Sequence, residues 1–264
     1  MSYCSFGERV ERFEKNCDTS LTSSIDEVSE TLEKQILAFV PARGGSKRLP
    51  GKNIKLLGGI PLLAYSLIAA LNSRIITKIV LSSDDDTMLA IGGHYGRIEG
   101  IRRPDSLSDD KATTLSAIAH CLEYLEVHQA YRPDIVVLLQ PTCPFRENGY
   151  IDAAINCFLE SDAHSLIGVC EEKYKLGEIR GKYFYPQYKE GTRKQDMPAV
   201  YRENGSIYIS RSHIIKEGTL FGKKILPYLG NKFNAVNIDT QLDFDSAEMI
   251  LEKYADQFKG GAIQ

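Results

Sequence analysis

Short apolar runs that end abruptly at turn residues recur through most of this chain, and stretches with helical spacing lie between them. Ile36 to Val40 stops at Pro41 and a glycine-rich loop, and Lys78 to Ser82, Asp134 to Leu139 and Ser165 to Cys170 follow the same pattern. Each run is too short for a stable helix and is apolar at its centre, as strands buried on both faces are. Pro61 to Asn72, with Pro61 near its first turn, reads as a helix. So do Asp86 to Tyr95, Thr113 to His128 and Tyr150 to Leu159. Strands alternating with helices of this length predict right-handed βαβ units and a mainly parallel sheet, an α/β fold. Ligands of such sheets bind at the carboxyl ends of strands. The loops after residues 40, 82, 139 and 236 are therefore where function is expected.

The two ends of the chain differ from this pattern. Residues 1–34 are rich in Ser, Thr, Glu and Asp, and Ile25, Val28, Leu32 and Ile36 stand at near-helical spacing. They read as an N-terminal extension with no part in chemistry, and residues 35–264 as the functional domain. After Glu172, the stretch Tyr174 to Tyr201 is rich in Tyr, Lys and Gly and has short strand-like pieces. It reads as an excursion over 174–200, a hairpin suited to binding a partner subunit. Gly205 to Ser210 and Asn234 to Ile238 read as strands returning to the core. The last helix is expected from Thr240 to Phe258, with Gly260-Gly261 just beyond it.

Composition narrows the function classes. Thirty-two basic against thirty-five acidic residues leave a net charge of −3. No global positive field points to nucleic acid, so any anion site has to be a local cluster. Six cysteines (Cys4, Cys17, Cys121, Cys143, Cys157, Cys170) are scattered with no C-x-x-C pair. That usage suits free thiols in a reducing compartment rather than a disulfide framework or a zinc site. The first thirty-five residues hold no apolar signal segment, and the longest apolar stretch, around Ile60 to Leu71, is too short to span a bilayer. A cytoplasmic location, with no membrane partner, is the expectation. The five histidines share no ligand spacing.

The local cluster is found directly after the first strand. Arg43, Lys47, Arg48, Lys52 and Lys55 crowd into thirteen residues that contain no acid. Gly44 and Gly45 free the backbone to turn N–H groups inward, an anion-binding nest at a strand end. A triphosphate needs both parts: N–H donors for geometry, and fixed cations to offset charge growing on a leaving pyrophosphate. The Walker A pattern fails, since Gly45 to Gly51 is one residue too wide and Asn53 stands where Ser or Thr would hold magnesium. No G-x-G-x-x-G occurs in the loop either.

From Ile36 to Asn53 the chain resembles the signature of the acylneuraminate cytidylyltransferases, the CMP-sialic acid synthetases and their legionaminic and pseudaminic relatives. Further blocks resemble the family in the same order: Val80 to Asp84, Arg103 to Thr114, Leu138 to Arg146, Tyr201 to Gly205, and Asn237 to Thr240. The likeness covers residues 36 to about 255. It implies a Rossmann-like three-layer nucleotidyltransferase fold with a protruding dimerisation segment. It also implies a homodimer that joins CTP to a nine-carbon 2-keto sugar acid, releasing pyrophosphate. The same chemistry on a Kdo-type acid and a non-catalytic nucleotide-binding homologue are the alternatives.

The resemblance assigns roles by position. Arg43, Gly44, Gly45, Ser46, Lys47 and Lys52 would surround the triphosphate, with Arg43, Lys47 and Lys52 acting in catalysis. Asn53, Arg103, Ala112 and Thr114 would hold ribose and cytosine, and Gln140 and Arg202 the sugar acid. From chemistry alone, Arg103 can donate to a pyrimidine carbonyl, and the fork of Arg202 suits a carboxylate. Thr113 or Thr114 can equally cap the following helix. The metal position departs from the family, in which two carboxylates would hold magnesium (Mg2+). Asn237 replaces the first and leaves Asp239, while an amide oxygen can still serve a hard ion that keeps most of its waters. Asp239 or Thr240 can also cap the last helix, because Thr240-x-x-Asp243 has the spacing of a capping box. Cys143 stands where family members often carry Ser, which speaks against a nucleophile. The triplet Asp84-Asp85-Asp86 can be an acidic metal cluster or can offset a helix dipole. No residue stands out as a general base.

Overall fold

In a computed structural model of the chain, which describes residues 34–109 and 112–254, β1 (Ile36–Pro41) lies inside a seven-stranded sheet. Its alternation explains the place: Ile36, Ala38 and Val40 enter one hydrophobic layer, Leu37 and Phe39 the other, and all five are fully buried. On one face pack α1 (Leu62–Leu71), α2 (Asp86–Gly93) and α4 (Tyr150–Leu159), through residues such as Leu63, Leu67, Met88 and Phe158. On the other pack α3 (Thr114–Gln129) and α5 (Ser212–Lys216), through Ile118, Cys121, Leu125 and Ile215. Burying each large aliphatic or aromatic side chain of these layers contributes about 1.5–3 kcal/mol.

The other short elements complete the chain order. They are β2 (Leu56–Leu57), β3 (Ile60–Pro61), β4 (Lys78–Ser83), β5 (Ile98–Arg102), β6 (Ile135–Leu138) and β7 (Ser165–Glu172). After them come β8 (Gly177–Arg180), β9 (Tyr183–Pro186), β10 (Val200–Arg211) and β11 (Ile225–Leu229), and the last helix is α6 (Gln241–Tyr254). The main sheet has the order β11-β7-β10-β6-β1-β4-β5. Only β10 runs antiparallel to its neighbours, so the sheet is mainly parallel.

Three features depart from the sequence reading. Asn234–Ile238 is not a strand: residues 232–235 form turns, because Asn234 takes the N–H of Asn231 and donates to the carbonyl of Phe145. Two edge strands, β5 and β11, were not legible. Glu99 and Gly100 interrupt the first, and Pro227 the second, which an edge tolerates. Strand β10 also begins earlier than Gly205, carrying the chain back from the excursion in one piece. The excursion itself holds the β8–β9 hairpin, turned at Gly181 (φ +62°), with Ile179 and Phe184 facing each other and both exposed. The extension over residues 1–33, the end of the last helix beyond Tyr254 with Gly260-Gly261, and Asp110 and Lys111 lie outside the described residues.

A third, smaller cluster positions the site. Phe244, Ala247 and Leu251 of α6 pack on Leu49, Leu57, Leu62, Phe145 and Ile238. This ties the loop after β1 to the segment that enters α6. Gly58 (φ +56°) is required there, since a Cβ would stand 2.2 Å from a methyl carbon of Leu251.

Candidate active site

The loop after β1 is held by hydrogen bonds to its neighbours rather than left open. Ala42 N–H donates to the Ser82 carbonyl (3.0 Å) and Gly44 N–H to Asp84 Oδ1 (3.0 Å), both at the end of β4. Ser46 N–H closes onto the Gly44 carbonyl (3.0 Å), and Asn53 Nδ2 donates to the Arg43 carbonyl (3.0 Å). The expected nest is thus partly spent: the N–H groups of Gly44 and Ser46 already have protein acceptors. Asp84, read in sequence as part of a metal cluster or a dipole offset, instead holds this loop to the end of β4. Asp85 caps α2 by accepting from Met88 N–H, and Asp86 pairs with Arg102. The acidic triplet is therefore divided among three tasks. Among the described residues, no group of three His, Cys, Asp or Glu could hold a metal.

Gly51 (φ +66°) turns the chain into a short 3-10 helix over Lys52–Ile54, which buries Lys52 and Asn53. Lys52 Nζ donates to the Ile238 carbonyl (2.7 Å) and to Asp239 Oδ1 (2.9 Å). The other oxygen of Asp239 meets Arg48 (3.0 Å) and the Asn237 amide nitrogen (3.0 Å). Burial alone pushes the Asp239 carboxyl up, but Lys52, Arg48 and the Asn237 amide outweigh it and hold it below the usual carboxylate range. The capping role falls to other atoms. Thr240 and Asp243 bond reciprocally at the start of α6, which leaves the Asp239 side chain to the site. At the far wall, Thr113 and Ser116 form the capping box of α3, so Thr113 takes the capping role.

These elements enclose a cleft of about 530 Å³ at the carboxyl ends of β1, β5 and β6. Arg43, Ser46, Lys47, Lys52 and Asn53 line it from one loop, Arg103, Ala112 and Thr114 from another, and Gln140, Asn237 and Asp239 from two more. Its walls carry the cations Arg43, Lys47, Arg48, Lys52 and Arg103 against the carboxylates Asp109 and Asp239. Arg103 is buried, with Nη2 on the Ser82 carbonyl (2.6 Å) and Nε without a protein partner. Burial lowers its pKa, with Asp84 opposing and Arg43 adding to the shift.

Three residues expected at the site do not line this cleft. Gly44 holds the loop to Asp84, and Gly45 beside it is exposed. Arg202 projects from β10 into solvent, where its guanidinium meets Glu172 at 3.4 Å. Cys143 lies beneath Gln140, buried, with its thiol on the Asn204 carbonyl (3.4 Å), and burial pushes its pKa up. A neutral, enclosed thiol is not a nucleophile.

A mainly parallel α/β sheet that brings a cation-rich, carboxylate-bearing cleft to its strand ends defines a nucleotidyltransferase. A sequence model of the cytidylyltransferase family matches residues 37–260, and the chain belongs to that family. Among its relatives, the pseudaminic acid cytidylyltransferase of Campylobacter jejuni is 32% identical, over 81% of this chain and 95% of that one. The CMP-N,N'-diacetyllegionaminic acid synthase of Legionella pneumophila is 31% identical, over 83% and 97%. The N-acylneuraminate cytidylyltransferase of Escherichia coli is 30% identical over 84% of this chain, which spans about half (53%) of that protein's length. A CMP:2-keto-3-deoxy-manno-octonic acid synthetase solved with CTP shares the fold (TM-score 0.61, 14% identity, 83% of this chain and 99% of that one).

Proposed function

We propose that this protein couples CTP to a nonulosonic acid, a nine-carbon 2-keto sugar acid of the sialic, pseudaminic or legionaminic type, giving a CMP-sugar and pyrophosphate. The observation that carries the reading is the cleft's asymmetry: five cations on its walls, with buried Lys52 fixed against Asp239. The names of relatives near 30% identity point to the same class of acceptor. The Kdo-type alternative has support only from a fold neighbour at 14% identity.

In this reading the anomeric hydroxyl oxygen of the acid bonds to the α-phosphorus as its proton passes to solvent, and the bond from that phosphorus to the bridging oxygen breaks, with both electrons leaving on pyrophosphate. Arg43, Lys47 and Lys52 offset the charge that collects on the departing pyrophosphate, as preorganised cations need no reorganisation during the step. Arg103, Ala112 and Thr114 form the nucleoside wall, and Gln140 faces the acid. Positioning by these groups supplies much of the rate, and no covalent intermediate on the protein is needed.

Magnesium belongs to the proposal. Asp239 stands in the cleft wall with a partly exposed side chain whose oxygens meet Lys52, Arg48 and the Asn237 amide nitrogen, while Asn237 Oδ1 turns toward the Cys143 thiol (3.8 Å). Asp239 would hold the ion by its carboxylate, Asn237 would add an oxygen on flipping its amide, and phosphate oxygens and water would complete the shell. The bound ion would supply positive charge at the phosphates. A homodimer and a cytoplasmic location are also proposed. The exposed Ile179, Tyr183 and Phe184 of the hairpin support the first, since a patch of this kind marks an interaction surface. Ile179→Glu with Phe184→Glu is expected to turn the dimer into a monomer on analytical ultracentrifugation, and an unchanged mass would remove the hairpin from the interface.

The test of function is pyrophosphate release with magnesium, each of the four nucleoside triphosphates, and a panel of nonulosonic acids and Kdo. Release with CTP and a nonulosonic acid is the expected result. Release with Kdo alone would move the assignment to the alternative acid, and CTP binding with silence across the panel would point to a non-catalytic homologue.

A further inference from the structure

Resting on that reading, we infer that Arg146 is a positioning residue for the acceptor half of the cleft, acting through Gln140 and the bulge of β10. Its guanidinium is buried and does not line the cleft. Nε donates to the Ser206 carbonyl (2.7 Å), Nη1 to Ser66 Oγ (3.0 Å) and Nη2 to the Gln140 carbonyl (3.0 Å). All three acceptors are neutral, and they come from three separate segments: α1, the loop after β6, and β10. A buried cation without a carboxylate is costly, and packing alone would be better served by an apolar side chain. What a guanidinium adds is a rigid planar fork that fixes several acceptors at once.

The two backbone points it fixes flank the expected acceptor position. The Gln140 carbonyl accepts from Arg146, from Ser66 Oγ (3.1 Å) and from the Cys143 N–H (3.2 Å), so its backbone is pinned. The Gln140 side chain then projects into the cleft. Ser206 follows Gly205, whose positive φ (+74°) lies in the irregularity of β10 between Glu203 and Tyr208. A Cβ on Gly205 would come within 3.2 Å of Gln140 Oε1 and 2.8 Å of Cys143 Sγ. The bulge and the Gln140 side chain thus lie side by side, with room between them only for a glycine, and Arg146 holds the backbone of both. On its other side Ser206 is tied by Tyr150, whose hydroxyl lies 2.8 Å from Ser206 Oγ, a bond that does not involve Gln140.

The test uses Arg146→Lys, Ser66→Ala and, for comparison, Tyr150→Phe, each assayed by pyrophosphate release with CTP and the nonulosonic acid that the wild type turns over. The three donors of an ammonium sit on one nitrogen and cannot span acceptors that three separate guanidinium nitrogens reach, so Arg146→Lys is expected to displace Gln140 and raise KM for the acid roughly tenfold or more. KM for CTP should stay within about twofold, because the nucleoside and phosphate walls are built from other loops. Ser66→Ala, which removes one of the three donors to the Gln140 carbonyl and one acceptor of Arg146, should shift the same KM by a few fold. Tyr150→Phe should lower Tm without separating the two KM values. If Arg146→Lys does not fold, Ser66→Ala decides alone. Equal changes in both KM values, or no change in KM for the acid, would overturn the inference and leave the proposed function standing. A wild type silent with CTP and every acid would overturn both.

Discussion

Replacing Lys52 by alanine removes a buried ammonium that two partners hold in place, the Ile238 carbonyl at 2.7 Å and Asp239 at 2.9 Å. The preorganisation determines the magnitude. A cation already fixed where charge will develop contributes about as much as one oxyanion donor, about 2–4 kcal/mol of transition-state stabilisation. That corresponds to a fall in kcat of roughly thirty- to a thousandfold. Folding also suffers, because the Ile238 carbonyl loses a charge-assisted bond worth about 1.5–3 kcal/mol, and Tm should drop by several degrees. Arg48→Ala is the control. It contacts the same carboxylate at 3.0 Å, but its side chain is 69% exposed, so its pair contributes under about 1 kcal/mol to stability. The assay is steady-state pyrophosphate release at saturating CTP and acid, with Tm recorded alongside. A loss in kcat below about threefold for Lys52→Ala would refute the placement of its ammonium on the leaving pyrophosphate.

Two further outcomes follow from the Asp239 cluster. Asn237→Asp adds a second carboxylate beside Asp239, and the magnesium concentration for half-maximal rate should fall; an unchanged titration would place Asn237 outside the metal's shell. The folded pKa of Asp239 is depressed, so its stabilising contribution is present above the unfolded carboxylate value, about 3.9, and is lost as pH falls through the folded value. Asp239→Asn should therefore lose less Tm than the wild type between neutral pH and the acid side of that window, and parallel Tm curves would count against the pairing.

Much of this protein was local enough to read along the chain. The run Ile36–Val40 is apolar on both faces, so it had to be an inner strand, and the basic glycine-rich loop after it had to lie at a ligand-binding strand end. The hairpin, the longer helices and the capping pair Thr240–Asp243 were legible for the same reason, since periodicity and turn chemistry act over a few residues, whereas the short α5 was not. Only the tertiary structure decided what those loops do to one another. Lys52 and Asp239 are 187 positions apart, and packing of α6 on Leu49 and Leu57 brings them together. Gly44 was read as a phosphate donor, but the nearby end of β4 supplies Asp84, which takes its N–H. Arg202 was placed on the sugar acid, yet the register of β10 against β7 turns it toward Glu172. Arg146, the last residue of a recognisable block, showed no purpose in sequence because its three acceptors lie on segments that only folding gathers around it. Strand and helix are set by short-range sterics and burial, whereas the partners of buried polar groups are set by long-range packing, which no local pattern encodes.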